Sequence, residues 1–248
     1  MKYLKKYKLF ESVNEQEIHD LCKKYDIEYY TINSDGSIDV DSSVDLSDKS
    51  LNKIPLKFNK VNGYFNCSSS PNWSSRTNQL KTLDGSPIFV NSFDCSGGTL
   101  HSLKGSPKYV VDSFNCSSNY LNNLEGSPIE VSNNFWCVNN QIRNFIGCPE
   151  KIGRFYCNKN RVISLDGLLW KSFEYIELKD NPIYTLVKDW INNEDREELI
   201  EYFLDLNVIQ EGGKPELIIP RLEAFHEEMN LEMNIDFREV KKYYQIIN

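Results

Sequence analysis

Apolar side chains in the middle of this chain return at one set of offsets, about every 21 residues. The clearest copy reads Val111-x-x-Phe114-x-Cys116-x-x-Asn119-x-Leu121-x-x-Leu124. Val90-x-x-Phe93-x-Cys95 leads to Leu100 and Leu103, and Ile152-x-x-Phe155-x-Cys157 leads through Asn160 to Val162 and Leu165. Phe173-x-x-Ile176-x-Leu178 leads through Asn181 to Ile183 and Leu186. The series starts at Val44-x-Leu46, with Asp41 at the leading apolar position, and its equivalents are Phe65, Phe93, Phe114, Phe135, Phe155 and Ile176. The intervals are 21, 28, 21, 21, 20 and 21 residues, which predicts seven coils of a solenoid.

Side chains alternate across a strand, so Phe and Cys, two residues apart, point to one side and their neighbours to the other. Stacked coils then form a parallel sheet with strands about 4.8 Å apart. Its interior holds one column of Phe and one of Cys, a small and readily buried residue. Asn78, Asn119, Asn140, Asn160 and Asn181 should form a third column, their amides bonding backbone groups at the turn after each strand. Gly98 interrupts that column, and coil five has Ser132 at the leading position with Val131 beside it. Gly-Ser-Pro at 85–87, 105–107 and 126–128, and Gly-Cys-Pro at 147–149, read as tight return turns. The long interval carries SSSPNWSSRT between Cys67 and Asn78, an insertion expected to bulge as a loop.

The flanks differ. Asn14 is a plausible helix N-cap, and Ile18, Leu21, Cys22 and Tyr25 then share one face. Asp35-Gly36 between two extended runs predicts a hairpin. An open solenoid end exposes apolar surface and unpaired backbone, so residues 1–43 are expected to be a lead followed by a helix-hairpin cap. Residues 44–186 form the solenoid. Residues 187–248 should be an acidic helical cap or small module, helical over Asp189–Leu206 and Pro215–Met229, with Pro220 as an alternative start for the second helix. The predicted fold class is an α/β solenoid with one short parallel strand per coil.

The repeat offsets resemble those of leucine-rich-repeat proteins over about 145 residues. The variant with Phe-x-Cys, Asn and Gly-Ser-Pro is similar to short-repeat proteins common in tailed phages and uncultured viruses. The opening TINSDGSIDVDSSVDLSDKSLNKIPLKFNKV and the closing stretch around NPIYTL and LNVIQ resemble the flanks of those proteins. Residues 1–12 also resemble the capsid-targeting leaders of phage internal head proteins, in which a prohead protease cuts after a Leu-x-Glu sequence; Leu9-Phe10-Glu11 has that form. The resemblance implies a viral origin, with a structural virion protein as the alternative to a binding protein.

Charge and cysteines narrow the chemistry. From Val187 onward there are 15 acidic and 7 basic side chains, a balance of −8 that equals that of the whole chain. The residues before Val187 therefore balance, and neither nucleic acid nor membrane is an expected partner. No apolar run reaches the roughly 20 residues of a membrane span, and residues 1–11 lack a signal-peptide core. Five of the seven cysteines sit at one repeat position and the total is odd, so they read as free thiols of a cytoplasmic, monomeric protein rather than as bridges or metal ligands. His19, His101 and His226 lie in three different segments, His226-Glu227-Glu228 lacks the second His of a zinc helix, and no phosphate-binding Gly-rich motif occurs. No cysteine follows Cys157, which excludes the cysteine ubiquitin-ligase chemistry of some bacterial leucine-rich-repeat effectors. No cofactor and no enzymatic activity are expected.

The outward strand positions carry the functional expectation. Between Phe and Cys stand Asp45, Asn66, Asp94, Asn115, Trp136, Tyr156 and Glu177 in successive coils. Coils five to seven thus concentrate Trp136, Val138, Arg154, Tyr156, Asn158, Tyr175 and Glu177. Trp, Tyr and Arg are enriched at binding hot spots, which points to a protein partner, a host protein if the chain is viral. The competing expectation is that the acidic tail folds over this patch.

Overall fold

The recurring Phe-x-Cys pairs form strands, and the strands stack. The computed structural model describes residues 14–70, 77–168, 172–210 and 212–248. The capsid-leader match at Leu9-Phe10-Glu11 and the centre of the predicted insertion loop, 71–76, lie outside the described residues. The fold is a β-solenoid of about six turns with parallel strands and a few helices. The seven coils of the repeat are its seven strand rows, with six turns between the first row and the last.

The helix α1 (Glu15–Lys24) is capped by the Asn14 side chain, which accepts from the Glu17 N–H, and it buries Ile18 and Cys22. Next comes the hairpin β1 (Tyr30–Ile32) and β2 (Ile38–Val40), which pair antiparallel. The strand β2 also pairs parallel with β4 (Phe58–Asn66), so the hairpin continues the large sheet. With β3 (Val44–Asp45) it makes the first row. The later rows are β4, β5 (Phe89–Asp94), the broken pair β6 (Tyr109–Val110) and β7 (Phe114–Asn115), β8 (Glu130–Trp136), β9 (Lys151–Tyr156) and β10 (Ser172–Glu177). Neighbouring rows are parallel throughout.

The interior is built in columns. Phe65, Phe93, Phe114, Phe135 and Phe155 are buried, and successive ring centroids lie 5.2 to 5.5 Å apart. Each such aromatic pair is worth about 0.5–1.5 kcal/mol beyond its area burial. Cys67, Cys95, Cys116, Cys137 and Cys157 form the adjoining column, all buried. The thiols of Cys95, Cys116 and Cys137 reach the carbonyls of Asn115, Trp136 and Tyr156 in the next row at 3.4 to 3.5 Å. Burial pushes the Cys67, Cys95, Cys116 and Cys137 thiols well above the ordinary cysteine range.

The buried asparagines join consecutive turns. The Asn140 Oδ1 accepts from the Leu121 N–H of the preceding turn at 3.0 Å. Its Nδ2 donates to the Cys116 carbonyl of that turn and to the Cys137 carbonyl of its own, both at 3.1 Å. Asn78, Asn119, Asn160 and Asn181 repeat this pattern. The residue just before the asparagine position is left-handed in most rows: Asp48, Gly97, Ser118, Asn139, Lys159 and Asp180 have φ between 52° and 71°. That kink ends the strand and aims the next side chain inward. On the return side, Gly126 (φ +88°) sits at the third position of a turn closed by the Ser127 N–H on the Leu124 carbonyl. A Cβ there would lie 2.7 Å from the Leu103 carbonyl carbon, so both conformation and contact demand glycine.

Two expectations are corrected. The buried leading residue of row four is Val110, and Val111 is 65% exposed. In the same way Val40 and Val131 hold the column positions expected of Asp41 and Ser132; Val40 pairs with Val61, and Val110 with both Val90 and Val131. Rows one, two, four and five carry four residues from leading to central apolar position instead of three. The register shifts there, and one extra residue bulges outward.

The tail is the second correction, since it is mixed rather than helical. After the short α2 (Tyr184–Val187) that ends the last coil, it holds α3 (Arg196–Asp205), α4 (Ile219–Glu228) and α5 (Phe237–Tyr243). A small sheet of β11 (Ile209–Gln210), β12 (Glu216–Ile218) and β13 (Gln245–Ile247) accompanies them. Residues 188–195 turn instead of continuing a helix. Asn192 there donates to the Ile176 carbonyl and accepts from the Ile176 N–H, both at 2.9 Å, and Arg196 bonds the Phe173 carbonyl at 2.5 Å. The second helix starts at Ile219 with Pro220 in its first turn, because Leu217 is buried in the small sheet. Trp190, Phe203 and Phe225 pack together with ring centroids 5.3 to 5.6 Å apart. The buried Tyr244 donates its hydroxyl to the Ile163 carbonyl at 2.8 Å, which ties the tail to the return side of the solenoid.

Two outcomes follow. Replacing Asn140 by Ala strands buried donors and acceptors on two turns and should cost about 2–4 kcal/mol in urea unfolding; a loss below about 0.5 kcal/mol would show that the amide bridges nothing. The column thiols should resist N-ethylmaleimide in the native protein and react fully in denaturant, as read by intact mass.

Candidate functional site

The side chains between the buried Phe and Cys face outward, and in the first four rows they serve the backbone. Asp45, Asn66, Asp94 and Asn115 each accept from the N–H two residues on, at Ser47, Ser68, Ser96 and Ser117, over 2.8 to 3.1 Å. Asp94 also accepts from the Tyr64 hydroxyl at 3.1 Å and the Asn115 amide at 3.2 Å. Such short polar side chains close the turn after the strand.

Trp136 and Tyr156 occupy the same position and cannot make that bond. Their rings stack instead, with centroids 5.9 Å apart and planes at 18°. Tyr175 follows at 6.2 Å from Tyr156, tilted by 58°. Glu177 restores the turn bond through one carboxylate oxygen, which accepts from the Lys179 N–H at 2.9 Å. Its other oxygen accepts from the Tyr175 hydroxyl at 2.8 Å.

Strand register sets these residues on a grid. Asn134, Arg154 and Tyr175 are partners across rows five to seven, as are Trp136, Tyr156 and Glu177. Val138, Asn158 and Lys179 continue the same rows. Arg154 and Tyr175 are exposed, and Trp136, Val138, Tyr156, Asn158 and Glu177 are half-buried. All seven expected residues thus lie together on one face. The tail meets the solenoid elsewhere, at the backbone edge of β10 and at Ile163, and Tyr175 in the last row keeps 36% of its surface exposed. Among the described residues no ion pair or hydrogen bond engages the Arg154 guanidinium.

A second apolar surface lies at the start of the strands and was not among the expected positions. Phe89 and Tyr109 are paired in register and stacked, centroids 4.9 Å apart and planes at 13°. Ile88, Val111 and Ile129 are exposed nearby. A groove of about 310 Å³ opens between Lys60, Asn62, Phe89, Asn91 and Val111. The signal for it is the residue just before each leading apolar position, which runs Lys60, Phe89, Tyr109, Glu130 and Lys151.

The remaining reactive groups are dispersed. His19 lies against Tyr30, His101 stacks on Tyr120, and the buried His226 ring bonds the Leu222 carbonyl. Among the described residues no group of three His, Cys, Asp or Glu side chains is arranged to hold a metal ion. No helix among them is long and apolar enough to cross a membrane.

The Tyr175–Glu177 contact has a pH consequence. The hydrogen bond to Glu177, then partial burial, then the Glu177 charge hold the Tyr175 phenol up to about 12. Between pH 10 and 12 the folded protein therefore keeps a proton that the unfolded chain releases. The stability from this contact is complete below pH 10 and is lost as pH rises through 12. Ultraviolet difference titration against Tyr175→Phe should show a late-titrating phenol, and Glu177→Gln should bring it down toward 10.

No family model, no curated protein and no solved structure matches this chain.

Proposed function

We propose that this chain is a leucine-rich-repeat scaffold that recognises a protein through the outward strand face of rows five to seven. The observation that carries this reading is the Trp136–Tyr156 stack. At the same position other rows use Asp or Asn to close a turn. Here that local bond is given up for large rings that stay partly in water. Aromatic side chains on a rigid sheet provide contact area at low entropic cost, as binding hot spots require.

The repeat offsets and the asparagine column support the leucine-rich-repeat assignment. The α1 helix with its hairpin acts as one cap, and the tail acts as the other, since Asn192 and Arg196 occupy the last strand's edge. The scaffold carries no catalytic step in this reading. The sequence resemblance favours a phage-encoded protein working in the host cytoplasm, with a host protein as partner.

The test is capture from host lysate on immobilised protein. Wild type and Asn115→Ala, at the polar end of the same face, should retain the same proteins; Trp136→Ala with Tyr156→Ala should lose them while unfolding only a few degrees lower, the cost of one aromatic pair. Equal retention by the double variant would reject the face.

A further inference from the structure

We infer that the partner segment bound by this face is acidic, with a carboxylate seated on Arg154 beside an apolar side chain lying across Trp136 and Tyr156. This rests on the proposed recognition face and adds the chemistry of its occupant.

The outward positions before, within and after Phe-x-Cys differ in charge along the solenoid. The outward positions of the first four rows carry Asp45 and Asp94 between neutral Ser, Asn and Tyr side chains. At the same positions rows five to seven carry Arg154 and Lys179 against Glu177; toward the strand starts Glu130 and Lys151 pair with each other at 2.8 Å, and Glu174 is exposed in row seven. Glu177 accepts from the Tyr175 hydroxyl and the Lys179 N–H, and no ion pair joins it to Arg154. The Arg154 side chain is exposed, in register between Asn134 and Tyr175 and on the same strand as Tyr156. Arg154 and Lys179 thus flank the aromatic platform, on a chain whose net charge is −8, and Lys151 nearby is already paired with Glu130.

A guanidinium binds a carboxylate through two parallel N–H donors, a geometry an ammonium cannot reproduce. Residues two apart on a strand are separated by about 6.7 Å, so Arg154 and Tyr156 present a charge site and an apolar site at that spacing. An extended partner segment with Asp or Glu two residues from Phe, Trp or Leu matches both at once. A basic segment would meet Arg154 unfavourably and would be drawn to the Asp45–Asp94 end or to the tail. Because the attraction is short-range and local, it should weaken with salt without disappearing.

The test uses a random heptapeptide library displayed on yeast, selected on the full-length protein and on Arg154→Gln, Arg154→Lys and Trp136→Ala/Tyr156→Ala variants. Wild type should enrich peptides with Asp or Glu two positions from an aromatic or leucine. Fluorescence anisotropy of the best peptide should show about tenfold weaker binding to Arg154→Gln, with Arg154→Lys recovering only part of it. Arg154 is exposed, so its variants should melt with wild type. Enriched peptides without acidic residues that still need Trp136 and Tyr156 would overturn the acidic partner and leave the face standing. Acidic peptides that bind the Trp136→Ala/Tyr156→Ala variant unchanged would overturn the face itself. Failure to enrich any peptide on wild type would also overturn the inference.

Discussion

A buried side-chain amide between consecutive turns is the constraint on which this solenoid depends. After each strand the backbone must bend inward, and the bend leaves peptide groups facing the core with no strand partner. An orphaned peptide group there costs about 1–3 kcal/mol. Asn119, Asn140, Asn160 and Asn181 each meet carbonyls of two turns and one N–H of the earlier turn. Donor and acceptor are needed together, which Asp or Leu cannot supply. The amide bridges five of the six junctions between rows; at the sixth, where Gly98 stands, Phe65 and Phe93 keep a 5.2 Å ring spacing through strand pairing.

The sequence made the columns legible because a solenoid places the same environment at the same offset many times. Phe93, Phe114, Phe135 and Phe155 could be assigned inward from spacing alone. Trp136 and Tyr156 could be placed outward by the same alternation. What spacing could not distinguish was Val110 from Val111. Both are valines, three and four residues before Phe114, and only pairing with Val90 and Val131 decides between them. The apolar pair Phe89 and Tyr109 was hidden for a related reason, since it lies just outside the repeating window.

The tail was less legible because each of its elements occurs once. Glu216-Leu217-Ile218 and the following residues satisfy a helical spacing, yet Leu217 is drawn into a three-stranded sheet whose third strand comes from the end of the chain. Non-local pairing of this kind overrides local pattern. Residues 188–195 are governed similarly by a distant demand, the backbone edge of β10.

That edge carries a consequence of its own. A parallel sheet ends in a line of unsatisfied peptide groups onto which a strand from another molecule can add. At Ile176 both groups are already answered by the Asn192 amide, which imitates one peptide unit of a strand that is not there. Being a side chain, it offers no further ladder on its outer side. A strand adding here would have to displace that amide from Ile176 and the Arg196 guanidinium from the Phe173 carbonyl.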